Sequence, residues 1–423
     1  MSEAINVSDL REIDNLIIGG GIVGVCCARQ LQLRGEKVVI ADRIPIGEGC
    51  SHGNAGVLCT WSVDGAASEG MWKDLPRWIM DPLGPVSLKF SYFPRLIPWL
   101  LKFFSSAGPD ERAATADALF TLNNPTVDLY RQLIQGSGHE DLVIDSHYVF
   151  VARNAAKVNV NANAYQARAQ RGAPVRALTQ EDIRELEPDL SPEYVGGVAV
   201  GGHGRVTNPG RLTKLIGEMV MNDGGEFLLD EVRDIQPSEE GGATVTVSGE
   251  TIHAKQLIVA AGAWSHQVAK NFDLDVPLEG ERGYHMEFAN PGVKLNNSVC
   301  DVDRKYVASS MEGGIRCAGT SEFNSLDAEP DWRRADIMKT LGKAMLPDLN
   351  INEGTPWMGH RPALPNSVPI VSQAPTQPGV FFAFGHGHYG LSAAPMTGRI
   401  LAGLATGERM NLDLAPYSLE RYQ

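Results

Sequence analysis

Cysteine is scarce in this sequence. Six cysteines occur in 423 residues; Cys26 and Cys27 are adjacent, the other four are scattered, and none forms a CxxC pair. Without metal-ligand spacing or a disulfide framework, the pattern predicts reduced thiols and no metal site. Long basic clusters are also missing, and the net charge is −14. This acidic balance argues against nucleic acid as a partner.

The sequence also lacks a long uninterrupted apolar run. Its most apolar segment, residues 85–104, is broken by three prolines and by Lys89, Arg95 and Lys102, so it cannot span a bilayer as one helix. Its mixture of aromatic, aliphatic and basic residues fits a membrane interface, and it fits equally a helical hairpin or lid packed on the chain itself. Residues 1–14 show no secretory signal. We therefore expect a cytoplasmic location, with peripheral contact at the inner membrane left open.

What is present begins almost at the N-terminus, where residues 14–42 contain every part of a dinucleotide-binding unit. In order, these parts are a buried strand at 15–18, the GxGxxG glycines Gly19, Gly21 and Gly24, a helix at 22–33, a strand at 38–40, and Asp42. The glycines let backbone N–H groups and the positive end of the helix approach a pyrophosphate. Asp42 is placed to accept hydrogen bonds from ribose hydroxyls and would repel a 2′-phosphate. NAD and FAD both fit this stretch, whereas NADP does not.

Periodicity and turn residues predict further elements, with no internal repeat or low-complexity linker between them. The predicted helices lie at 113–135, 155–171, 209–222 and about 394–406, and Thr179 with Asp182 forms a capping box that starts another short helix. The predicted strands lie at 147–153, 195–200 and 380–384, with one more within 256–265 that stops at a turn of small residues. The segments 227–235, 243–247 and 251–253 are predicted to form a small antiparallel sheet.

Two glycine-rich loops stand out. The first, GEGCSHGNAG at 47–56, can wrap a flat ring system with backbone N–H groups, although a flexible surface turn is the alternative. The second, GHGHYG at 385–390, lies between a predicted strand and a predicted helix. Its two histidines have no third ligand at metal-site spacing, so they do not predict a metal.

These motifs carry a resemblance to a known family. GGGIVG with Asp42, LIVAAGAWS, and GHGHYGLSAAPMTGRILAGLATG resemble the FAD-dependent D-amino-acid oxidase and dehydrogenase superfamily, over essentially the whole chain. SHGNAGVL at 51–58, HGRVTNPGRL at 203–212 and GHRPALPNSVPIV at 359–371 are most similar to its bacterial branch of D-amino-acid dehydrogenases and hydroxyproline or opine dehydrogenase flavin subunits.

The resemblance implies a mixed α/β fold: a Rossmann-type FAD-binding domain of the glutathione-reductase-like type, with an inserted substrate domain built on an antiparallel or mixed sheet. The FAD-binding domain is expected to be discontinuous, over 1–85, 203–275 and 356–423, and the substrate domain to comprise 86–202 and 276–355. The FAD is expected to be noncovalent, because the segment before the C-terminal glycine loop has no cysteine to tether it.

The motifs and the resemblance together place the cofactor-binding residues in the dinucleotide unit, the two glycine-rich loops and the segments that the family brings beside them. These residues are Gly19, Gly21, Ile22, Val23, Gly24, Asp42, Arg43, Ser51, His52, Asn54, Ala55, Gly56, Val232, Ala261, Gly262, Trp264, Gly387, His388, Tyr389, Gly390 and Leu391.

Substrate recognition requires a fixed cation for a carboxylate, and arginine matches carboxylate geometry best. The resemblance places this role on Arg361, with Tyr284 donating its hydroxyl to the same carboxylate. The alternatives are a surface ion pair for Arg361 and a space-filling aromatic for Tyr284. His386 and His388 are expected to shape the flavin edge or tune its charge. No Asp or Glu stands out as a catalytic base, so none is assigned.

The implied reaction is oxidative deamination: a hydride leaves the α-carbon for flavin N5, and the resulting imine is hydrolysed to a 2-oxo acid. A D-amino acid, or a cyclic amino acid such as D-proline or hydroxyproline, is the expected substrate. The electron acceptor is expected to be a quinone or a partner protein. Two alternatives stay open: a flavin subunit of a hetero-oligomeric opine or hydroxyproline dehydrogenase, and an oxidase that uses oxygen.

Overall fold

The computed structural model describes residues 10–65 and 71–422, with the backbone alone for 71–75. The start of the chain, on which the expectation of no secretory signal rests, lies largely outside the described residues. The strands are β1 (Leu10–Ile18), β2 (Val38–Asp42), β3 (Val57–Leu58), β4 (Val86–Leu88), β5 (Val143–Ala152), β6 (Val175–Thr179), β7 (Gly196–Val206), β8 (Glu226–Leu229), β9 (Arg233–Pro237), β10 (Ala243–Val247), β11 (Glu250–Val259), β12 (Glu279–Phe288), β13 (Ser298–Asp301), β14 (Tyr306–Met311), β15 (Gly314–Phe323), β16 (Gly354–Ala363), β17 (Ile370–Gln373) and β18 (Val380–Phe384). The α-helices are α1 (Ile22–Gln32), α2 (Met71–Met80), α3 (Phe93–Ser105), α4 (Pro109–Asn123), α5 (Thr126–Leu133), α6 (Asn163–Gln170), α7 (Gln180–Leu186), α8 (Pro209–Asn222), α9 (Ser265–Ala269), α10 (Arg333–Met345) and α11 (Gly390–Ala405).

The described residues form two sheets, and the first has the strand order β17-β18-β11-β1-β2-β8, with β10 paired to β11 and β9 paired to β10. Strand β1 pairs parallel with β2 and with β11, and β11 pairs parallel with β18. Helices α1, α8 and α11 pack together against one face. The carboxyl ends of β1, β2, β11 and β18 therefore meet at one edge, which is where open α/β sheets bind ligands.

The second sheet has the order β16-β12-β15-β14-β13-β5-β7-β3, with β4 beside β15 and β6 beside β7. Strands β12, β15 and β16 are antiparallel, and Glu281 of β12 lies directly opposite Arg361 of β16. Because side chains alternate along a strand, each strand presents one set of residues to each face. One face packs on α10 through an apolar core that includes Tyr284, Met286 and Phe288.

The structure confirms the β1–α1–β2 unit, the predicted helix at 209–222, and the strands at 243–247 and 380–384. The capping box is also present. The Thr179 hydroxyl accepts from the Asp182 amide, and the Asp182 carboxylate accepts from the Thr179 amide.

Several predicted elements need correction. The helix predicted at 113–135 is two helices, α4 and α5, which meet at Pro125, where the missing N–H prevents a continuous helix. The helix predicted at 155–171 is reduced to α6, preceded by a short 3-10 turn at Ala155–Lys157. The predicted strand segment 227–235 is two strands, and β8 joins β2 in the first sheet instead of the antiparallel ribbon. Residues 250–259 form one strand, and α11 starts at Gly390, earlier than predicted.

The predicted domain division falls close to the division between the sheets. The boundaries at 203 and 356 lie within β7 and β16, and both of these strands pair in the second sheet. Strand β3, at 57–58, also pairs in that sheet. The assignment of these segments to two domains therefore stays a prediction.

Residues 85–104 form β4 and most of α3. One face of α3 packs through Leu96, Trp99 and Phe103 on Ala363 and its neighbours, and Trp99 Nε1 donates to the Ala363 carbonyl at 3.1 Å. This segment therefore packs on the second sheet next to the strand that carries Arg361. Within the part of the chain that the structure describes, no helix is long and apolar enough to cross a membrane.

Candidate active site

A cavity of about 1000 Å³ opens at the carboxyl edge of the first sheet. The ends of β1, β2, β11 and β18 form one side, and residues of the second sheet form the other. The residues that line the cavity differ between its two sides. Glycines and backbone dominate where it meets the first sheet, and charged and aromatic side chains dominate where it meets the second.

The glycines after β1 leave the N-terminus of α1 open toward the cavity. Gly19 has φ +118°, and a Cβ there would overlap the carbonyl oxygen of Ala260. A Cβ at Gly24 would overlap the Gly19 carbonyl, so that glycine permits the close packing of helix on strand. Gly21 is the N-cap of α1 and carries no side chain, and the first amide of the helix, that of Ile22, donates to the Ser51 hydroxyl at 2.8 Å. The remaining N–H groups of the first turn and the helix dipole can hold a pyrophosphate.

The next part of the cavity fits a nucleoside. The Asp42 carboxylate lines it and accepts hydrogen bonds from the Gly20 amide at 2.7 Å and the Ile44 amide at 3.2 Å. The guanidinium of Arg43 lies 4.3 Å from the ring centroid of Trp264, in a cation–π contact. Val232 lines the same region. A ribose bound to Asp42 would place its base near these side chains.

Side chains of the second sheet hold the loop at 47–56 in place by hydrogen bonds to its backbone carbonyls. Arg316 donates to the carbonyls of His52 at 3.1 Å and Asn54 at 2.6 Å, and Glu287 fixes the guanidinium. His285 donates to the Gly53 carbonyl at 3.0 Å and stacks on Trp357. The sequence analysis did not predict that Arg316, Glu287 and His285 hold this loop. Their partners lie 232 to 264 positions away in the chain, so no local pattern marks them.

The second glycine-rich loop turns the chain from β18 into α11. His386 is buried within it and is hydrogen-bonded to the Thr397 hydroxyl at 2.9 Å. Burial lowers the pKa of His386 to about 3, so the ring is neutral at neutral pH and braces the loop. Helix α11 has no side-chain N-cap, and its first residues line the cavity. Its positive end can stabilise negative charge on a bound ring system.

Arg361 lies in the cavity with part of its guanidinium free. Its side chain lies against the backbone of Gly283, where a Cβ would overlap the guanidinium. Nη1 donates to Glu281 at 2.7 Å and, at 3.4 Å, to the Thr320 carbonyl. Among the described residues, no hydrogen bond is formed by Nε or Nη2. That edge of the guanidinium can therefore receive a carboxylate.

Glu281 is a buried carboxylate that sequence analysis missed. It accepts hydrogen bonds from Arg361, from the Ser321 hydroxyl, and from Nε2 of His388 at 2.9 Å. Burial alone would raise the pKa of Glu281, but electrostatic attraction from the His388 and Arg361 side chains and these hydrogen bonds lower it well below its usual range. Glu281 therefore remains ionised. It belongs to four residues from β12, β15, β16 and the second loop that only tertiary structure brings together.

The predicted pairing of Tyr284 with Arg361 needs correction. The Tyr284 hydroxyl donates to Glu322 and accepts from the Asp331 amide, on the face of the sheet that packs on α10. Strand alternation places Glu281 and Tyr284, three residues apart, on opposite faces. The Tyr284 hydroxyl thus points away from the Arg361 guanidinium, although the residue borders the cavity.

Most of the predicted cofactor residues line the cavity, but three do not. Gly24 and Gly56 serve backbone packing, since a Cβ at Gly56 would overlap Met311 and the Val206 carbonyl. The side chain of His52 faces a separate cavity of about 290 Å³, which His139 also lines. His386 and His388 do not converge on a common ligand, because one binds Thr397 and the other binds Glu281.

An apolar wall completes the cavity. Tyr148 and Phe150 of β5, Cys300 of β13 and Val307 of β14 all line it. The rings of Tyr148 and Phe150 have centroids 4.5 Å apart. The cavity face of the second sheet therefore changes from charged at β16, β12 and β15 to apolar at β14, β13 and β5. This change suits a ligand with a charged end and an apolar end.

Comparisons with known proteins agree with this geometry. The model of the DAO family, described as FAD dependent oxidoreductase, matches residues 14–404. The chain is 34% identical over 414 residues to a D-amino-acid oxidase of Bradyrhizobium diazoefficiens, with 96% of this chain and 98% of the relative covered. It is 24% identical to a D-amino acid dehydrogenase of Helicobacter pylori, with coverage of 95% and 98%.

Solved structures show the same fold. Glycine oxidase from Geobacillus kaustophilus superimposes with a TM-score of 0.75 at 22% identity, with 98% of this chain and 100% of that chain covered. L-proline dehydrogenase from P. horikoshii has a TM-score of 0.75 at 17% identity, with 98% of each chain covered.

Proposed function

The chain belongs to the DAO family of FAD dependent oxidoreductases, and from that premise we propose that it oxidises the Cα–N bond of a D-amino acid. The single observation that carries this proposal is Arg361, a cavity-lining guanidinium whose Nε and Nη2 form no hydrogen bond with the described residues. The D configuration rests on the relative at 34% identity, which is a D-amino-acid oxidase.

Different residues would bind different parts of FAD and of the substrate. The N-terminus of α1 would hold the pyrophosphate of FAD, Asp42 its ribose, and the two glycine-rich loops its flavin. When bound, FAD supplies a hydride acceptor at N5. The free edge of Arg361 binds the substrate carboxylate and so fixes the α-carbon. The N-terminus of α11 favours the negative charge that follows reduction.

The substrate class can be tested directly. Anaerobic addition of D-amino acids, L-amino acids, prolines including hydroxyproline, and opines to the purified yellow protein should bleach the flavin absorbance with the D-amino acids or D-proline. Acid denaturation should release FAD into the supernatant, as expected for noncovalent binding. Bleaching by L-amino acids alone would contradict the proposed configuration, and bleaching by opines alone would favour the opine dehydrogenase subunit.

We propose that electrons leave toward a membrane quinone, with α3 as the contact surface. Phe93, Ile97 and Leu101 lie on its exposed side, four residues apart, and Leu101 is 68% exposed. Arg95 and Lys102 on the same helix are also exposed, in a chain of net charge −14. An exposed apolar stripe with basic residues fits an anionic lipid surface.

Sedimentation with vesicles tests this contact. The protein should sediment with vesicles that contain anionic lipid and remain in solution with neutral ones, and a Leu101→Glu variant should lose sedimentation while keeping flavin reduction by substrate. The acceptor is tested separately. Turnover of the lone chain with a quinone analogue is expected, whereas rapid reoxidation by air would show an oxidase, and no turnover without added partner chains would show a dependent flavin subunit.

A further inference from the structure

His388 and Glu281 form a carboxylate–imidazole pair at the edge of the cavity. His388 Nε2 lies 2.9 Å from Oε1 and 3.1 Å from Oε2 of Glu281. The carboxylate is almost fully buried, whereas the imidazole side chain is 50% exposed and lines the cavity. Glu281 is therefore fixed within the second sheet, whereas the His388 ring is accessible to a ligand in the cavity.

The hydrogen bond fixes which ring nitrogen is free. An ionised carboxylate only accepts, so the Nε2 hydrogen points to Glu281. In the neutral ring the lone pair then lies on Nδ1. Nδ1 of His388 forms no hydrogen bond with the described residues. The imidazole is thus held in the tautomer that can accept a proton.

Hydride loss from an amino acid requires a neutral amine, and a proton acceptor beside the substrate can supply it. An amino acid carries an ammonium group at neutral pH, and its nitrogen has no lone pair to push out a hydride from the α-carbon. Arg361 binds the same carboxylate, Glu281, that binds His388. A substrate whose carboxylate contacts the free edge of Arg361 is therefore held beside the His388 ring.

We propose that His388 accepts the proton of the substrate ammonium, with Glu281 as its positioning residue; this inference rests on the function proposed above. An N–H bond of the ammonium breaks, a bond from Nδ1 to hydrogen forms, and the nitrogen keeps the electron pair. With FAD bound as the hydride acceptor, the neutral amine would lose a hydride from its α-carbon and become an iminium ion. The proton on His388 passes to solvent.

The charged and titratable side chains near His388 are consistent with its role as a proton acceptor. His388 binds Glu281 of β12, and Glu281 also binds Arg361 of β16. The Cys50 thiol, from the loop at 47–56, interacts electrostatically with Glu281 and Arg361. One carboxylate thus faces one guanidinium. His386, two residues earlier, is neutral and turned toward Thr397.

The test is the pH dependence of flavin reduction in anaerobic stopped flow with the His388→Asn variant. At pH 7 its reduction rate should fall about 100-fold, the usual contribution of a general base. Above the pKa of the substrate ammonium the substrate is already neutral, so the variant should approach the wild-type rate. Added imidazole should restore part of the rate at pH 7. The dissociation constant of propionate, a carboxylate without an amine, should change little when followed by the flavin spectrum.

Two further variants separate catalysis from folding. Glu281→Gln, which keeps the size but removes the charge, should lower the rate at pH 7 by about 10- to 100-fold, with the same recovery at high pH. His139→Asn, in a histidine that lines the other cavity, should match wild type at every pH. An equal loss for His388→Asn at all pH values, or no loss at pH 7, would overturn the proposal alone. A wild-type flavin that no amino acid reduces would overturn the proposed function and this proposal with it.

Discussion

The two ends of the cavity are built in different ways. The nucleotide end uses mainly backbone: glycines after β1 and the N-terminus of α1, with one carboxylate, all within 14–42. The substrate end uses side chains from β12, β15, β16 and the second glycine-rich loop. Recognition by backbone groups tolerates few substitutions of the glycines, but all the residues that it needs lie close together in the sequence. Side-chain recognition depends on strand register and face, which are set by partners far away in the chain.

The largest expected effect is at the nucleotide end. Replacing Gly21 with leucine should give colourless protein, because the side chain would occupy the pyrophosphate position. A Cβ at Gly21 has only ordinary contact with its surroundings, 3.4 Å from Ser51 Oγ, so the fold should persist. Flavin absorbance and circular dichroism of the purified variant measure both results. Gly108→Ala, far from the cavity, should stay yellow. A yellow Gly21→Leu protein would contradict the assignment of this loop.

Acid should destabilise the folded protein. Burial lowers the pKa of His203, His285 and His386 to about 3 and of His360 to about 4, from 6.5. The unfolded chain therefore binds more protons than the folded one below pH 6.5, and stability is lost as pH falls toward 4. Four such histidines together change the free energy of unfolding by roughly 5 kcal/mol per pH unit.

Urea unfolding followed at pH 7.5, 6 and 5 measures this loss. His203→Asn should reduce the slope by one histidine's share, about 1.4 kcal/mol per pH unit. Stability that stays constant between pH 7.5 and 5 would show that these rings do not remain neutral in the folded protein.

Arg361 gives the next largest effect. Arg361→Ala should keep the flavin spectrum but lose a charge-assisted pair in the cavity, on the order of 2–4 kcal/mol, or roughly 30- to 1,000-fold in kcat/KM. Arg361→Lys should recover only part, because a point charge lacks the planar fork. Steady-state kinetics with a D-amino acid and with its amide separate carboxylate binding from other effects, since the amide should respond little to the substitution.

Near-normal kcat/KM in Arg361→Ala would place the carboxylate anchor elsewhere. The structure makes two other arginines poor substitutes for it. Arg282 is fully buried against Glu322, and Arg316 binds Glu287 and the loop carbonyls.

The smallest expected effect on catalysis is at Tyr284. Tyr284→Phe removes a hydroxyl that bonds Glu322 and Asp331 on the far face of the second sheet. It should lower the free energy of unfolding by about 1.5–3 kcal/mol. Its kcat/KM should stay within a small factor of wild type, because the hydroxyl does not face Arg361. A loss as large as that of Arg361→Ala would show that the tyrosine contacts the substrate.

The sequence by itself determined the dinucleotide unit, the family and Arg361 as a cavity residue, because each rests on local spacing or on a contiguous motif. The β1–α1–β2 unit needs only neighbouring residues to form its glycine turn and helix N-terminus. The helix break at Pro125 was not predicted, because the helical periodicity of apolar residues continues from α4 into α5.

Only the tertiary structure decided which side chains share the substrate end. Strand alternation separates Tyr284 from Arg361, and cross-strand register brings Glu281 opposite Arg361. The closure of the second loop onto β12 adds His388 to this pair. Each contact depends on chain segments that are distant in sequence. Burial and strand register, which no local pattern contains, therefore decided which residues lie together at this end of the cavity.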